Sequence, residues 1–266
     1  MKINSFILWV LTIILTLATS VYQRRTGPTK PVRGSVEIAD ETIRYRLIRT
    51  HETGADAAVR ILVENPEITG VYKYRRFKSH DEWTELPMMR DGEYLLAWIP
   101  DQPPAGKVMY DIFLIHSDVR TQLNSDHVII RFKGYVPAIY LVPHIIFMLF
   151  AMIFSMRTGF EAIFRRQNTY LFAWLTVIFL FIGGLVFGPI VQKFAFGDYW
   201  TGWPFGTDLT DNKTAVAMIF WLIALYRVYK NRQERVWVII ASVVLLLVYM
   251  IPHSMMGSEI DHTLVE

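Results

Sequence analysis

Long runs of apolar residues that are almost free of charge are the feature that most limits what this chain can fold into. Five such runs cover residues 6–21, 136–156, 170–191, 214–229 and 236–252. A helix rises about 1.5 Å per residue, so about 20 apolar residues cross a hydrocarbon core of about 30 Å. The second and third runs reach that length, whereas the fourth does so only if its helix begins near Asn212. The runs predict a polytopic membrane protein.

The charged residues beside the apolar runs indicate how the chain is inserted. Lys and Arg concentrate in the cytoplasmic loops of membrane proteins. The loops after the second and fourth runs are basic, with Arg157, Arg165, Arg166, Arg227, Lys230, Arg232 and Arg235. Acidic residues outnumber basic ones in the loop 193–213 and in the tail. The amino terminus is therefore predicted in the cytoplasm, with residues 22–135 and the carboxyl terminus outside it.

Residues 1–22 have two interpretations. They form either a membrane anchor or a signal peptide with Lys2, an apolar core and a small-residue cleavage site at Ala18-Thr19-Ser20. The second interpretation is kept open because four basic residues follow on the outer side, where they are disfavoured: Arg24, Arg25, Lys30 and Arg33. Both interpretations export the next hundred residues, so the predicted topology is the same.

Residues 32–133 have a different character, since short alternating runs are separated by turn residues. The runs are SVEIAD, TIRYRLIR, AAVRILVE, GVYKYRRF, EYLLAWIP, KVMYDIFLI and HVIIRFK. A period of two indicates strands with one buried face, and seven short strands in about 100 residues are typical of an immunoglobulin- or fibronectin-type sandwich. We therefore expect an α + β membrane protein: an extracytoplasmic β-sandwich over 32–133, a four-helix transmembrane bundle over 136–256 with a periplasmic loop at 193–213, and a periplasmic tail over 257–266.

The segment from YKYRRFKSHDEW to KVMYDIFL resembles bacterial fibronectin-like extracellular modules, which implies a fold and no activity. Within it, Trp83, Trp98 and Tyr110 are interpreted as core or half-buried strand aromatics. Four histidines of the region have no metal-ligand spacing: His51, His80, His116 and His127. The chain has no cysteine, which excludes disulfides and thiolate metal sites.

The third apolar run contains glycines and a proline. Gly183, Gly184 and Gly188 include a small-xxx-small spacing that favours close packing with a neighbouring helix. Pro189 is predicted to kink or end that helix near the outer surface. A broken helix would also suit a small transporter, although no inverted repeat is visible.

The predicted outer side of the membrane collects the ionisable residues of greatest interest. Asp211 is expected to cap the fourth helix, and Asp208 to do the same one turn earlier or bind a cation. His144 lies in the outer part of the second run, and His253 lies at the end of the fifth. Two histidines on different helices can supply both axial positions of a haem, or part of a metal site. His144 and His253 are thus candidate cofactor ligands, and Asp208, Asp211 and Glu259 candidate metal ligands, provided the fifth helix continues past Pro252.

Three segments, RTGPTKPVRG, FGTDLTDNKT and IPHSMMGSE, are similar to a family of bacterial membrane proteins of the Bacteroidota type. The resemblance runs the length of the chain and implies an inner-membrane protein with a periplasmic β-domain; it implies no activity.

Three functions remain open. The first is a membrane-anchored accessory, assembly or protein-interaction protein of the bacterial envelope, because the chain has a binding-type fold and no nucleophile or phosphate-loop motif. Its partners would be the bilayer and another envelope protein, but not nucleic acid, since the basic residues flank membrane spans. The alternatives are a haem- or metal-binding redox subunit and a small transporter.

Overall fold

The computed structural model describes residues 4–252, 257 and 259–264. The chain divides into two units: a β-domain, made of residues 29–135, residues 195–197 and the tail from Glu259, and a helical unit that contains the rest. The protein is of the α + β class, with several sheets and separate long helices, as the sequence predicts.

Eleven strands lie in the described part of the β-domain. They are β1 (Val32–Ile38), β2 (Glu41–Leu47), β3 (Thr50–Glu52), β4 (Ala57–Leu62), β5 (Thr69–Arg76), β6 (Thr84–Pro87), β7 (Met89–Asp91), β8 (Tyr94–Ile99), β9 (Lys107–His116), β10 (Val119–Gln122) and β11 (Val128–Lys133). Each of the seven predicted runs forms a strand. The other four, β3, β6, β7 and β10, have three or four residues each, too few for alternation to identify them.

The strands form three sheets that share one core. β1 and β2 make a hairpin, β4, β8 and β7 make a three-stranded sheet, and the largest sheet has the order β3-β11-β9-β5-β6 with β10 also on β9. Strand pairs are antiparallel except β3 with β11. Inward residues from all three sheets meet in the core, for example Ile43 of β2, Val59 of β4 and Tyr110 of β9.

The three aromatics named from the sequence occupy different environments. Tyr110 is fully buried, and its hydroxyl donates to the carbonyl of Ile48 over 2.8 Å. Trp83 is half-buried. Trp98 is 40% exposed because it lies on the outward face of β8. Only Tyr110 is a core residue, so truncation of Trp98 would not open a cavity in the core.

The helical unit is formed by α1 (Ser5–Thr26), α2 (Ala138–Ile163), α3 (Thr169–Leu180), a π-helical segment (Phe181–Phe187), α4 (Gly188–Phe196), α5 (Leu209–Lys230) and α6 (Val236–Met250). Three helical stretches are long and apolar enough to cross a membrane: α1, α2, and the continuous stretch Thr169–Phe196. α6 is also apolar but has 15 residues, and α5 carries charged residues at both ends.

Of the two effects predicted for Pro189, a kink or an end, the structure rules out the end, because the helix continues to Phe196. The π-helical segment immediately precedes the proline, and the N–H of Gly188 donates to the carbonyl of Gly183, five residues earlier. A proline has no N–H and its ring displaces the carbonyl of the preceding turn, and a wider π turn accommodates both effects. A Cβ on Gly183 would lie 2.9 Å from the backbone nitrogen of Met148, so this glycine permits the close approach of α2.

Contacts between helices link α1, α2, α3, α5 and α6. α2 packs against α1, α3 and α6, and α5 packs against α3 and α6, while α1 also contacts α6. One face of α1 is buried at helical spacing, with Leu8, Thr12, Thr16 and Thr19. The hydroxyl of Thr12 donates to the carbonyl of Leu8, which satisfies the polar group inside the helix interface.

Candidate functional site

The loop between α4 and α5 is organised by one buried carboxylate. Asp211, in the first turn of α5, accepts four hydrogen bonds at Oδ2: from Nε2 of Gln192 (2.9 Å), from the backbone nitrogen (2.6 Å) and Oγ1 (3.4 Å) of Thr201, and from the backbone nitrogen of Gly202 (3.0 Å). Gly202 must be a glycine, since a Cβ would lie 2.6 Å from Cβ of Asp211. The side chain of Asp211 therefore fixes the path of the loop.

Asp208 is the residue that caps α5. Its Oδ1 accepts from the backbone nitrogens of Thr210 (2.7 Å) and Asp211 (3.2 Å), which satisfies amides that have no partner inside the helix. The predicted capping role of Asp211 is thus wrong, and the role falls to Asp208, three residues earlier. Gly257 lies against Asp208: its φ is +89°, and a Cβ there would approach Cα of Asp208 to 2.7 Å.

A buried lysine connects α5 to the end of α6. Lys213 is 7% exposed, and its Nζ donates to the backbone carbonyl of Ile251 over 2.7 Å. A cation at this position satisfies a terminal carbonyl and complements the negative end of the helix dipole. A site shared by His144 and His253 requires α6 to continue past Pro252. The structure does not meet this requirement, because α6 ends at Met250.

His144 is held by the π-helical segment. Its Nδ1 lies 2.9 Å from the carbonyl oxygen of Gly183. A carbonyl only accepts, so Nδ1 carries the hydrogen and Nε2 presents a lone pair. This arrangement, a backbone carbonyl that orients an imidazole, is common behind metal-ligating histidines.

The candidate ligands that the structure describes have different local environments. Asp208 and Asp211 are neighbours at the start of α5, and His144 is hydrogen-bonded to Gly183. Glu259 belongs to the β-domain, and His253 lies outside the described residues. In the described part of the chain no group of three or more His, Asp or Glu has a geometry that could hold a metal ion.

Glu259 instead forms ion pairs with two lysines. Its Oε1 lies 2.5 Å from Nζ of Lys78, and its Oε2 pairs with Nζ of Lys107. Burial opposes ionisation of Glu259, but hydrogen bonds from both lysines outweigh it, so the pKa of the carboxyl lies below its usual 4.5. The two lysines respond differently: Glu259 raises the pKa of the exposed Lys78, whereas burial lowers the pKa of Lys107.

A buried charge cluster at the end of α2 was not recognised from the sequence. Arg157 and Glu161 are 1% and 0% exposed, and Nη1 of the arginine lies 2.6 Å from Oε1 of the carboxylate. Arg166 reaches the same oxygen from 3.1 Å, and Oε2 accepts from the backbone nitrogen of Asn168. In the sequence, Arg157 and Arg166 indicated only the topology; the i, i+4 spacing of Arg157 and Glu161 was the signal that could have identified the pair.

A second buried carboxylate, also missed, lies in the β-domain. Asp111 of β9 is 0% exposed and lies opposite Lys73 of β5 in the strand register. It receives Nδ2 of Asn124 and Nδ1 of His127, each at 2.8 Å, with Nζ of Lys73 at 3.3 Å. The ring of Trp83 lies beside His127, 4.9 Å between centroids. The network neutralises and hydrogen-bonds the buried carboxylate, as burial of a charge requires.

No protein-family model, no curated protein and no solved structure matches the chain.

Proposed function

We propose that this chain is a membrane-anchored accessory or protein-interaction protein of the bacterial envelope, whose β-domain contacts another envelope protein. The observation that supports this function is the outward face of the sheet formed by β4, β8 and β7, where exposed large apolar side chains outnumber the charged Arg60 and Asp91.

The register of the strands brings the apolar side chains of this face together. Leu62 lies opposite Tyr94, and Leu96 lies between Arg60 and Met89 in the next row. Met89, Tyr94 and Trp98 are 56%, 44% and 40% exposed. An antiparallel sheet normally presents polar side chains on its solvated face, and exposed aromatic and methionine side chains in a row are typical of interfaces. We call this surface the β4-β8-β7 face.

The finer fold that we propose is an immunoglobulin- or fibronectin-type sandwich followed by a four-helix bundle. The sandwich is supported by seven strands of six residues or more and by the core that the three sheets share. The bundle is supported by the cycle of contacts from α2 to α3, α5, α6 and back to α2.

The tail supports the proposed periplasmic location of the β-domain. Glu259 pairs with lysines of the β-domain, and it is the ninth residue after Met250, the end of α6. Nine extended residues reach about 30 Å, too short to recross the 40–45 Å of a bilayer with its headgroups. The end of α6 and the β-domain thus belong on the same side, opposite the basic loops, which is the periplasmic side of an inner membrane.

Site-specific photo-crosslinking in living cells tests the proposed function. A photoreactive residue at position 94 or 98 should capture one envelope protein, identified by mass spectrometry, and Met89→Arg should abolish that product without lowering the amount of inserted protein. A photoreactive residue at Arg44, exposed on the β1–β2 hairpin, is the control. The same products from Arg44, or none from the β4-β8-β7 face, would contradict the proposal.

His144 supports a second candidate function, that of a haem- or metal-binding membrane redox subunit. The carbonyl of Gly183 fixes its tautomer, and within the described residues its Nε2 has no hydrogen-bond partner. An absorption spectrum and metal analysis of the purified protein test this function. Bound haem or stoichiometric metal that disappears in His144→Ala would support it, and a preparation without either would exclude it.

A further inference from the structure

The carboxyl-terminal tail occupies a basic surface of the β-domain. Lys78 follows β5, Lys107 begins β9, and Arg131 of β11 lies directly opposite Lys107 in the strand register. We call the surface formed by Lys78, Lys107 and Arg131 the basic notch. Glu259 enters the notch and bridges its two lysines.

The tail is bound there through its backbone as well as its charges. The N–H of His262 donates to the carbonyl of Lys78 over 2.9 Å, and Asp261 lies 4.0 Å from Nζ of the same lysine. Two carboxylates, two residues apart on one short segment, therefore approach a surface of opposite charge. The surface thus binds the tail through the charge of its side chains, their spacing and a backbone hydrogen bond. Peptide-binding surfaces obtain specificity from the same combination of contacts.

The burial of Lys107 explains why the notch requires a carboxylate. Its side chain is 8% exposed while Glu259 is in place, and Arg131 adds a like charge beside it. Removal of Glu259 would leave that cation without the carboxylate that compensates its burial, which is costly. A carboxylate from another chain can restore the compensation, because the ion pair depends on the charge and its position.

We propose that the basic notch is a binding site for an acidic segment of the Glu-x-Asp type on a partner protein, and that the tail of this chain is its resident ligand. The inference rests on the proposed interaction function and adds a partner chemistry at a surface separate from the β4-β8-β7 face. The tethered tail competes for the notch at an effective concentration of about millimolar. A partner segment therefore binds if its affinity for the notch is high enough to outcompete the tail, or if the tail has already left the notch.

The test uses the whole membrane protein in detergent, either full-length or shortened to end at Ser258, and a fluorescent peptide of residues 257–266. The peptide should bind the shortened chain and be excluded from the full chain, and added salt should weaken binding. In the shortened chain, Lys107→Gln and Lys78→Gln should each weaken binding about tenfold to a hundredfold, while Arg33→Gln should not change it. A Glu259→Gln peptide should bind weakly, and a Leu264→Ser peptide normally, since Leu264 is 81% exposed.

Three results would overturn the inference. The first is that the peptide binds the full and the shortened chain equally well. The second is that Lys78→Gln binds the peptide as strongly as Arg33→Gln does; this comparison does not depend on whether Lys107→Gln folds. The full chain could also be a dimer that dissociates when shortened, in which case the notch takes the tail of a second copy. None of these outcomes depends on crosslinking from the β4-β8-β7 face, so the two proposals fail separately.

Discussion

The guanidinium of Arg157 on α2 stacks over the ring of Trp9 on α1, 5.2 Å from its centroid. Its Nη2 also donates to Oγ of Ser5 over 3.0 Å. At the other end of α1, Nε2 of Gln23 donates to the carbonyl of Tyr249 on α6. The first apolar run is therefore joined to the helical unit by specific polar and aromatic contacts along its length.

We predict that α1 is retained in the mature protein. Cleavage near Ala18 would remove the helix that contacts Arg157 and would separate Thr19, which is buried, from the rest of its interface. Intact mass and amino-terminal sequencing of the purified protein check this prediction. Trp9→Ala should destabilise the protein, while Phe6→Ala, at a position 71% exposed, should have little effect. A mature chain beginning between residues 19 and 22 would contradict the prediction.

Removal of the carboxylate at Glu161 should be among the most damaging changes in the helical unit. Glu161→Ala leaves Arg157 buried without its partner, at a cost of about 3–5 kcal/mol. Thermal unfolding in detergent measures the loss. Arg165→Gln is the control, because Arg165 is exposed in the same turn. Equal melting temperatures for the two variants would show that the buried pair does not stabilise the protein.

Asp211→Ala should release the loop between α4 and α5. The substitution removes the acceptor of four hydrogen bonds from Gln192, Thr201 and Gly202, at about 1–3 kcal/mol for donors left unsatisfied. Chymotrypsin should then cut faster at Phe205, which is 83% exposed. Asp198→Asn, in the exposed part of the loop, should retain the normal cleavage rate. Unchanged cleavage in Asp211→Ala would refute the role assigned to this carboxylate.

The tail should leave the basic notch in acid. The pKa of Glu259 is lowered in the folded protein, so its contribution is present above its usual 4.5 and is lost as the pH falls through the folded value. Since the chain has no cysteine, Leu264→Cys accepts a single fluorophore. Its anisotropy should be constant from about pH 6 to 8 and fall below about pH 4. The Glu259→Gln chain should lack this transition; if it shows the same one, another group controls the tail.

The transmembrane topology predicts the activity of reporter fusions. A reporter that works only in the periplasm should be active after Ser117 or Glu266 and silent after Gln167 or Gln233. Western blots control for the amount of each fusion. Activity after Gln233 would require a different assignment of α5 and α6.

The amino-acid sequence alone predicted the α + β class, the three long apolar helices and the seven longer strands. Each depends on a local period, either 2 or 3.6 residues, or on a length compared with the thickness of a bilayer. The run HVIIRFK, residues 127–133, was identified as a strand by this rule, and the run 136–156 as a helix; the structure has a strand at Val128–Lys133 and a helix at Ala138–Ile163. Apart from an i, i+4 pair such as Arg157 and Glu161, however, local patterns do not identify the partner of a buried polar group.

Only the tertiary structure decided what the polar residues do. Asp208 rather than Asp211 caps α5, because the loop turns back and brings the amides of Thr201 and Gly202 to the second carboxylate. Glu259 pairs with Lys107, 152 residues away in the chain, rather than with the membrane-side aspartates. Such contacts join segments that are distant in sequence, and their energies depend on burial and geometry that no local pattern contains.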